Sequence, residues 1–561
     1  MSDQVFYSSR RSPVVSLSAC VASSQTLATS AGLDVLKRGG NAADAAVAVA
    51  AALAVTEPCS TGLGGDAFCL FYNAHTGEIH GLNGSGRAAE AQSLDFMEGR
   101  GFSAEAPPPV FDALNVTVPG APACWCDTLQ LFGSRKLPLQ DVLRGAVELA
   151  DGGFPVAELT AHHWGRCASE LQAAGRALGP DLLIQGRAPK SGQVFRNPAL
   201  AQTLRELGER GKPAFYQGRV AKAIVDVLRE NGGVMTEEDL KKHNSEVVRP
   251  ISIEYKGVTL WEPPPNGQGL AALLLLNILD NFPLKAKGHN SADYIHIFTE
   301  AVRLTQVDVL RYLGDPGHVT VPVDALLDKS YGRVRARSIS TDRATEGVKP
   351  GLQTGSDTVY FCVIDSEGNA CSFVNSNYLG FGSGLVPKGC GFSLQNRGAN
   401  FSLIRGHPNV ICGGKRPFHT IICALLTDSN TRELLAALGV MGAFMQPQGH
   451  VQVLLNMLEF GMNPQQALDA PRVYVHYDQK NGQWTVNLEE GIDQSVAEEL
   501  RRRGHNVNSP VTGHMRCQFG RGQIITVGNW WDPSVNQTDR PIPRVLWAGS
   551  DPRADGCAQG F

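Results

Sequence analysis

The sequence lacks the short motifs that mark common metal and nucleotide sites. Its 561 residues contain no Cys-x-x-Cys, no His-Glu-x-x-His and no Gly-x-x-x-x-Gly-Lys followed by Ser or Thr. The Cys124-Trp125-Cys126 triplet and the His162-His163 pair lack the further ligands that a zinc site needs. The glycines of segment 380–384 stand between two strand-like runs, whereas a phosphate-binding loop precedes a helix. We therefore predict no metal and no cofactor.

Long apolar runs and a strong excess of one charge are also absent. The most apolar stretches are segments 42–55 and 270–279, both shorter than the roughly 18–20 residues of a membrane span. The first twenty residues contain no apolar core typical of a signal peptide. Lys and Arg number 50 against 54 Asp and Glu, and no basic run is interleaved with aromatics. We expect a soluble, cytoplasmic protein with neither nucleic acid nor membrane as a partner.

The cysteine pattern argues against a disulfide framework. There are thirteen cysteines, an odd number, and most lie in apolar segments such as Phe361-Cys362-Val363. A chain of this length does not need disulfides to stabilise its core. Buried thiols in a reducing compartment are therefore predicted.

The chain is helix-rich in its first part and strand-rich in its second. Asn41 is a predicted N-cap before a buried helix that ends near Pro58, and further helical patterns lie between residues 130 and 350. From Thr358 onward strand patterns dominate, and segment 366–369 is a predicted hairpin turn between two of them. Such an arrangement is typical of α+β proteins in which helices cover sheets.

Motifs along nearly the whole chain resemble those of γ-glutamyltransferases. In the first part they are GGNAADAAVAVAAALAVTEP at 39–58, TGLGG at 61–65, VTVPG at 116–120, GGVMTEEDL at 232–240, EPPPNGQG at 262–269 and RYLGDP at 311–316. In the second part they are DTVYFCVIDSEGNA at 357–370, GFGSGLV at 380–386, LQNRGANFS at 394–402, GKRP at 414–417 and DPRADGCAQGF at 551–561. Each motif is short, but their number and their order identify the chain as a member of that family.

The resemblance implies a four-layer αββα sandwich of the N-terminal-nucleophile hydrolase type, made as a precursor that cleaves itself before a threonine. Matching VIDSEGNA at 363–370 with the corresponding hairpin of the family implies that this threonine is Thr358 and that the scissile bond lies between Asp357 and Thr358. Two segments, 1–357 and 358–561, would then remain associated noncovalently. The hydroxyl of Thr358 would act as the nucleophile, and its new α-amine, with a pKa near 7.7–8.0 when unperturbed, would act as the base.

The resemblance also implies where the rest of the acyl-transfer machinery lies. The oxyanion donors would be the backbone amides of Gly442 and Ala443, although an ordinary strand-to-helix turn is the alternative there. Ser376 matches the hydroxyl residue that supports the nucleophile. Asn377 and Tyr378 follow it as candidate substrate-binding residues.

The departures from the family pattern lie at substrate-binding positions. Ser85 stands where typical members have an arginine that binds the substrate α-carboxylate, and Arg87 follows two residues later. Arg87 either binds a carboxylate or lies on the surface. Asn400 replaces a carboxylate that binds the α-ammonium, which would weaken such binding by about 1–3 kcal/mol.

A further departure follows the GKRP motif. His419 and Thr420 replace the usual paired serines, and His419 either contacts a substrate carboxylate or packs in the core. The combined pattern is similar to that of glutathione hydrolase-like proteins and cephalosporin acylases.

Three functions follow from this sequence. The first is cleavage of γ-glutamyl amides by hydrolysis, with transfer to amino acids or peptides as a second route. The second is an acylase of the same mechanism that acts on glutaryl-type amides without an α-amino group. The third is a processed scaffold with little activity. The expected partners are the small amide substrate and the two segments of the precursor, and the sequence leaves open whether copies form a homo-oligomer.

Overall fold

The computed structural model describes residues 11–171, 179–347, 357–479, 481–532, 534 and 544–561. Thr358 therefore falls within the described part, at the start of its segment. Residues 348–356, which precede the predicted cleavage position, lie outside the described part.

The strands are numbered in chain order. They are β1 Val14–Ser16, β2 Cys20–Ser23, β3 Asp66–Asn73, β4 Glu78–Gly84, β5 Phe154–Pro155, β6 Val194–Phe195, β7 Glu246–Val248, β8 Ile251–Tyr255, β9 Val258–Glu262, β10 Asp357–Ile364, β11 Ala370–Tyr378, β12 Ala424–Asp428, β13 Leu434–Met441, β14 Val473–Asp478, β15 Gln483–Glu489, β16 Val507–Val511, β17 Arg521–Val527, β18 Leu546–Ser550 and β19 Cys557–Gly560.

The helices are numbered in the same way. They are α1 Thr26–Lys37, α2 Ala42–Thr56, α3 Leu94–Gly99, α4 Ala121–Phe132, α5 Leu139–Gly152, α6 Glu158–Cys167, α7 Pro198–Arg210, α8 Lys212–Tyr216, α9 Arg219–Glu230, α10 Glu237–Lys241, α11 Gly269–Leu279, α12 Leu284–Lys287, α13 Ala292–Tyr312, α14 Val323–Leu327, α15 Lys329–Arg337, α16 Met445–Leu458, α17 Pro464–Asp469 and α18 Gln494–Arg502. Short 3-10 turns cover Ala113–Asn115, Pro180–Leu182, Arg397–Asn400 and Gly513–Phe519.

Two seven-stranded antiparallel sheets form the centre of the fold. The first has the order β1-β18-β17-β13-β12-β9-β8, and the second has the order β19-β2-β10-β11-β3-β4-β7. They pack face to face through an apolar layer that includes Tyr360 and Val374 from the second sheet and Leu425, Ala437 and Ile525 from the first. Smaller sheets, β14-β15-β16 and β5-β6, lie outside this pair.

Helices cover the outer face of each sheet. Helices α2 and α4 pack on β10, β11 and β3, while α11 and α16 pack on β8 and β13. Each helix layer shares its own apolar core with the sheet below it. The predicted four-layer αββα sandwich is therefore confirmed.

Helix α2 shows how local sequence sets one of these layers. The side chain of Asn41 accepts hydrogen bonds from the amides of Ala43 and Asp44, and Asp44 accepts one from the Asn41 amide. This capping box fixes the start of the helix. Every residue of α2 is buried, as expected for a helix that is apolar on all sides. The predicted N-cap and buried helix are confirmed.

The cysteines form no disulfide framework in the structure. None of the thirteen forms a disulfide, most are buried, and Cys412 is the exposed one. The prediction of buried thiols therefore holds for most of them. Among the described helices, none combines the length and the apolar composition needed to cross a membrane.

Candidate active site

Thr358 lies at the start of β10, in the middle of the second sheet. Strand β10 is flanked by β2 and β11, and it faces β13 and β17 of the first sheet. Asp357 pairs with Tyr378 and Val359 pairs with Asn375, so β11 has one extra residue opposite Thr358. Such a bulge re-aims side chains and is common beside active sites. The side chain of Thr358 has no exposed surface.

Ser376 connects Thr358 to the groups around it. The hydroxyl of Thr358 donates to Ser376 Oγ over 3.1 Å. Ser376 Oγ also accepts from the backbone amide of Tyr378 over 2.9 Å and from Arg397 Nη2 over 3.1 Å. The structure thus brings Ser376 into direct contact with the predicted nucleophile. This contact is the one that the resemblance implies.

Arg397 is a charged residue in this cluster to which the sequence analysis assigned no role. Its side chain is fully buried, and its Nη1 donates to Thr420 Oγ1 over 2.6 Å. The guanidinium carbon lies 4.4 Å from the centre of the Tyr378 ring, a cation–π arrangement. Thr420 is therefore joined to Ser376 through a single guanidinium.

His419 and Asp66 form a second buried pair next to this guanidinium. Asp66 Oδ2 lies 3.0 Å from His419 Nε2 and 4.0 Å from Arg397 Nε, and Asp66 Oδ1 accepts from the Gly86 amide over 2.9 Å. The amide of Ile421 approaches His419 Nδ1 at 3.4 Å, which makes Nδ1 the acceptor and Nε2 the donor. Burial, reinforced by Arg397, lowers the pKa of His419 to about 4, although Asp66 opposes the shift. His419 is therefore neutral at physiological pH and lies inside the core.

We predict that His419→Gln changes how stability depends on pH. An unfolded histidine titrates near 6.5, so between pH 6.5 and 4 the unfolded chain binds a proton that the folded chain does not. Lowering the pH through this window should cost the wild type up to about 3 kcal/mol that the variant does not lose. The difference in free energy of unfolding between them should therefore shrink as the pH falls.

The measurement is urea unfolding of both proteins across this pH range. Both proteins carry Thr358→Ala, which removes the predicted nucleophile and is expected to keep the chain whole, so that unfolding involves one molecule. The control is His75→Gln, at an exposed position in a turn. A difference that stays constant from pH 7 to 4 would show that His419 is not held neutral.

The backbone of Thr358 is held from the first sheet. Arg521, the first residue of β17, donates from Nη2 to the carbonyl of Thr358 over 3.3 Å. Its Nη1 donates to Glu57 Oε2 over 3.2 Å, and both side chains are buried. This ion pair fixes the position of Thr358 where β10 begins.

The predicted oxyanion turn joins β13 to α16. Gly442 has φ +133° and Ala443 has φ +51°, so two consecutive residues have left-handed backbone conformations. Gln268 Nε2 donates to the Ala443 carbonyl over 2.8 Å and also to the Thr420 carbonyl. The turn is therefore tied to the strand-like segment that carries His419 and Thr420.

Tyr378 and Asn400 contact each other on the other side of Arg397. The Tyr378 hydroxyl donates to Asn400 Oδ1 over 2.6 Å, and Asn400 Nδ2 donates to the Phe418 carbonyl over 3.0 Å. Asn377 turns away from this contact, because its Nδ2 donates to the Pro58 carbonyl over 3.2 Å. The structure thus groups Tyr378 and Asn400 and places Asn377 against the loop after α2.

Ser85 and Arg87 differ in how close they lie to this cluster. Ser85 is buried, donates to Asn83 Oδ1 over 2.8 Å, and immediately precedes Gly86, which contacts Asp66. The side chain of Arg87 is 35% exposed and pairs with Glu246 at 3.8 Å. Its substrate-binding role remains a prediction. Its ion pair with Glu246 agrees with the alternative that Arg87 is a surface residue.

Two clefts border the cluster. One of about 410 Å³ is lined by Gly442 and Ala443 together with His163, Arg521 and Leu379. The other, of about 640 Å³, is lined by the turn residues 398–400 that follow Arg397, and by Phe418. Burial and the charge of Arg521 lower the pKa of His163 to about 2, so this ring is neutral in the first cleft.

Several of these residues lie inside the family motifs but carry no role in the sequence analysis. Glu57 ends the first motif, Asp66 follows the TGLGG loop, and Arg397 is the fourth residue of LQNRGANFS. A buried position for an arginine flanked by Asn and Gly is not visible in a single sequence. Among the described residues, no group of three His, Cys, Asp or Glu side chains is placed to hold a metal ion.

Comparison with known proteins identifies the relatives of this chain. The family model described as Gamma-glutamyltranspeptidase matches residues 28–561. The chain is 36% identical to the Glutathione hydrolase-like YwrD proenzyme of Bacillus subtilis over 98% of this chain and 99% of the relative. It is 31% identical to the Oxamate amidohydrolase proenzyme of Klebsiella pneumoniae over 95% and 97% of the two chains. The crystal structure of cephalosporin acylase from Bacillus halodurans matches with a TM-score of 0.89 and 39% identity, covering 100% of this chain and 99% of that one. The chain belongs to the gamma-glutamyltranspeptidase family.

Proposed function

We propose that this protein is a threonine amidohydrolase that cleaves itself between Asp357 and Thr358 and then hydrolyses amides through an acyl-Thr358 intermediate. The observation that carries the proposal is the hydrogen bond from Thr358 to Ser376 at the bulge between β10 and β11. The two curated relatives reported above are named as proenzymes, which supports processing of this chain.

Self-cleavage needs only groups that this chain carries and one water molecule. Thr358 Oγ1 attacks the carbonyl carbon of Asp357, the peptide C–N bond breaks, and the proton of the Thr358 hydroxyl passes to the released nitrogen, which becomes the free α-amine. The resulting ester is hydrolysed by water, which leaves a carboxylate on Asp357 and restores the hydroxyl of Thr358. The Arg521–Glu57 pair holds the Thr358 backbone during these steps.

Amide hydrolysis follows the same route with an external carbonyl. The free amine of Thr358 takes the proton of Oγ1, and Oγ1 attacks the substrate carbonyl. The amides of Gly442 and Ala443 would stabilise the oxyanion, and the leaving amine takes the proton. Water then releases the acyl group. An amino acid or peptide in place of water would give transfer.

The identity of the acyl group in the substrate is still to be assigned. The two candidates, γ-glutamyl and glutaryl, differ by one ammonium group. A γ-glutamyl group carries an α-ammonium and a glutaryl group does not. Asn400 brings no negative charge, and its Oδ1 already accepts a hydrogen bond from Tyr378. This favours glutaryl-type amides, in keeping with the structural relative named as a cephalosporin acylase. The relative named as glutathione hydrolase-like supports γ-glutamyl amides as the second candidate.

We predict that the wild type hydrolyses glutaryl p-nitroanilide with a higher kcat/KM than γ-glutamyl p-nitroanilide. Asn400→Asp restores a carboxylate and should raise the γ-glutamyl to glutaryl ratio by about tenfold or more. Initial rates with both anilides give these ratios.

The matched control is Asn400→Ala, which removes the contact with Tyr378 but adds no charge and should not raise the ratio. A wild type that strongly prefers the γ-glutamyl anilide would reverse the assignment between the two candidates. A processed protein that hydrolyses neither anilide would favour the scaffold function.

A further inference from the structure

Arg397 is a buried cation that has more N–H donors than it has hydrogen-bond acceptors around it. A guanidinium carries five N–H groups. Those of Arg397 reach two neutral hydroxyls, Thr420 Oγ1 and Ser376 Oγ. In the described part of the chain, its Nε has no hydrogen-bond acceptor, although the side chain is fully buried. The Nε–H group is therefore left as a donor for a ligand.

The charge of Arg397 is also less well balanced than that of comparable arginines. Arg472 and Arg553 are similarly buried and lie 2.6 and 3.0 Å from carboxylate oxygens of Asp551. Among the residues that the structure describes, the carboxylate paired with Arg397 is that of Asp66, whose Oδ2 is 4.0 Å from Nε. That same oxygen is 3.0 Å from His419 Nε2.

This incomplete pairing is costly for a folded protein. An arginine taken out of water without a close anionic partner loses hydration that its neighbours do not replace. Burial lowers the pKa of Arg397 to about 10, while Asp66 opposes the shift, so the group stays charged near neutral pH. A carboxylate bound to the free edge of the guanidinium would supply the missing charge.

The position of Arg397 limits the length of the group that carries such a carboxylate. Ser376 Oγ lies 3.1 Å from Thr358 Oγ1 and 3.1 Å from Arg397 Nη2, so the last two atoms are at most about 6 Å apart. A reacting carbonyl sits roughly 3–3.5 Å from the nucleophile, and a carboxylate oxygen sits about 2.8 Å from a guanidinium nitrogen. An extended chain with two or three methylenes separates its two carboxyl carbons by about 4–5 Å. Such a chain, lying alongside Thr358 Oγ1 and Arg397 Nη2, would place its reacting carbonyl at Oγ1 and its carboxylate at the guanidinium.

We propose that Arg397 binds the distal carboxylate of the acyl group and thereby selects amides of four- and five-carbon dicarboxylic acids. This assignment rests on the proposed function of Thr358 as the acyl acceptor. Tyr378 covers one face of the guanidinium and leaves its edge for the carboxylate. Arg397 then supplies the charge that Ser85, at the position of the usual arginine, does not.

The test compares two anilides that differ only in the distal carboxylate, glutaryl and pentanoyl p-nitroanilide. Arg397→Gln should lower kcat/KM for the glutaryl anilide by about 30- to 100-fold, mainly through KM. For the pentanoyl anilide the loss should stay below about threefold. Arg397→Lys keeps the charge but not the fork, and it should fall between these values for the glutaryl anilide.

Binding of free glutarate gives a readout that does not depend on turnover. Calorimetry on the purified wild type should show glutarate bound at least about tenfold tighter than pentanoate, and Arg397→Gln should remove that difference. If the wild type hydrolyses no anilide but binds glutarate through Arg397, the proposed function fails, whereas carboxylate binding by Arg397 is upheld. The extent of self-cleavage and the Tm show whether each variant is folded.

Two further variants sharpen the result. Arg144→Gln alters a half-exposed arginine paired with Asp34 and should leave both anilides unchanged. Arg87→Gln tests the arginine that the sequence analysis gave as a candidate for binding a substrate carboxylate. Equal losses of both anilides in Arg397→Gln would show that Arg397 acts only through Ser376. A glutaryl-specific loss in Arg87→Gln and none in Arg397→Gln would also overturn the assignment.

Discussion

Thr358→Ala is expected to remain a single chain of 60.1 kDa and to hydrolyse no amide. Alanine has no hydroxyl to attack the Asp357 carbonyl, so no ester forms and no free amine is released at position 358. Loss of a covalent nucleophile commonly costs at least about 10⁴ in kcat. The wild type should instead give two pieces, residues 1–357 and 358–561. Intact mass, denaturing gels and N-terminal sequencing detect the difference.

The controls separate chemistry from folding. Thr358→Ser keeps the hydroxyl and should still cleave, at a lower rate. Thr526→Ala removes a buried threonine hydroxyl on β17 of the other sheet and should cleave like the wild type. A wild type that stays whole, or a new N-terminus at another residue, would remove Thr358 from its proposed role. The substrate proposals would then lose their acyl acceptor.

Features set by neighbouring residues were predictable from the sequence. The capping box of α2 lies within Asn41–Asp44, and the hairpin between β10 and β11 lies within a short turn. Each depends on side chains a few residues apart, so local rules suffice. Local patterns indicate only that helices cover sheets. The four-layer arrangement was predicted from the resemblance to the family.

The contacts that define the site were not predictable in this way. His419 and Asp66 are 353 positions apart and meet because β3 belongs to one sheet while His419 lies just before β12 of the other. The extra residue of β11 opposite Thr358 depends on the pairing of two strands, which neither strand reveals alone. Arg397 stood in a quoted motif, yet its burial beside Ser376 required the fold. The candidate substrate residues chosen by resemblance therefore omitted the buried arginine.

The turn at Gly442 combines a backbone requirement with a chemical one. Its φ of +133° is a conformation that L-residues rarely adopt. A Cβ atom there would lie 3.2 Å from Gly520 Cα and 3.4 Å from Met445 Cβ, so the space is tight as well as strained. Gly442 and Ala443 both line the 410 Å³ cleft, toward which the proposed oxyanion amides would have to point.

Gly442→Ala should therefore lower kcat by about 10²- to 10³-fold, with a smaller effect on KM, as expected when an oxyanion donor moves. Strain of about 1–3 kcal/mol would relax by rotating the turn, which displaces both amides. The matched control is Gly232→Ala, since Gly232 also has a positive φ of +83° but no atom within 4 Å of an added Cβ. It carries a similar backbone penalty far from Thr358 and should keep the wild-type kcat. If Gly442→Ala is folded, cleaved and within threefold of the wild type, the oxyanion must be stabilised elsewhere. The alternative of an ordinary strand-to-helix turn would then hold for this segment.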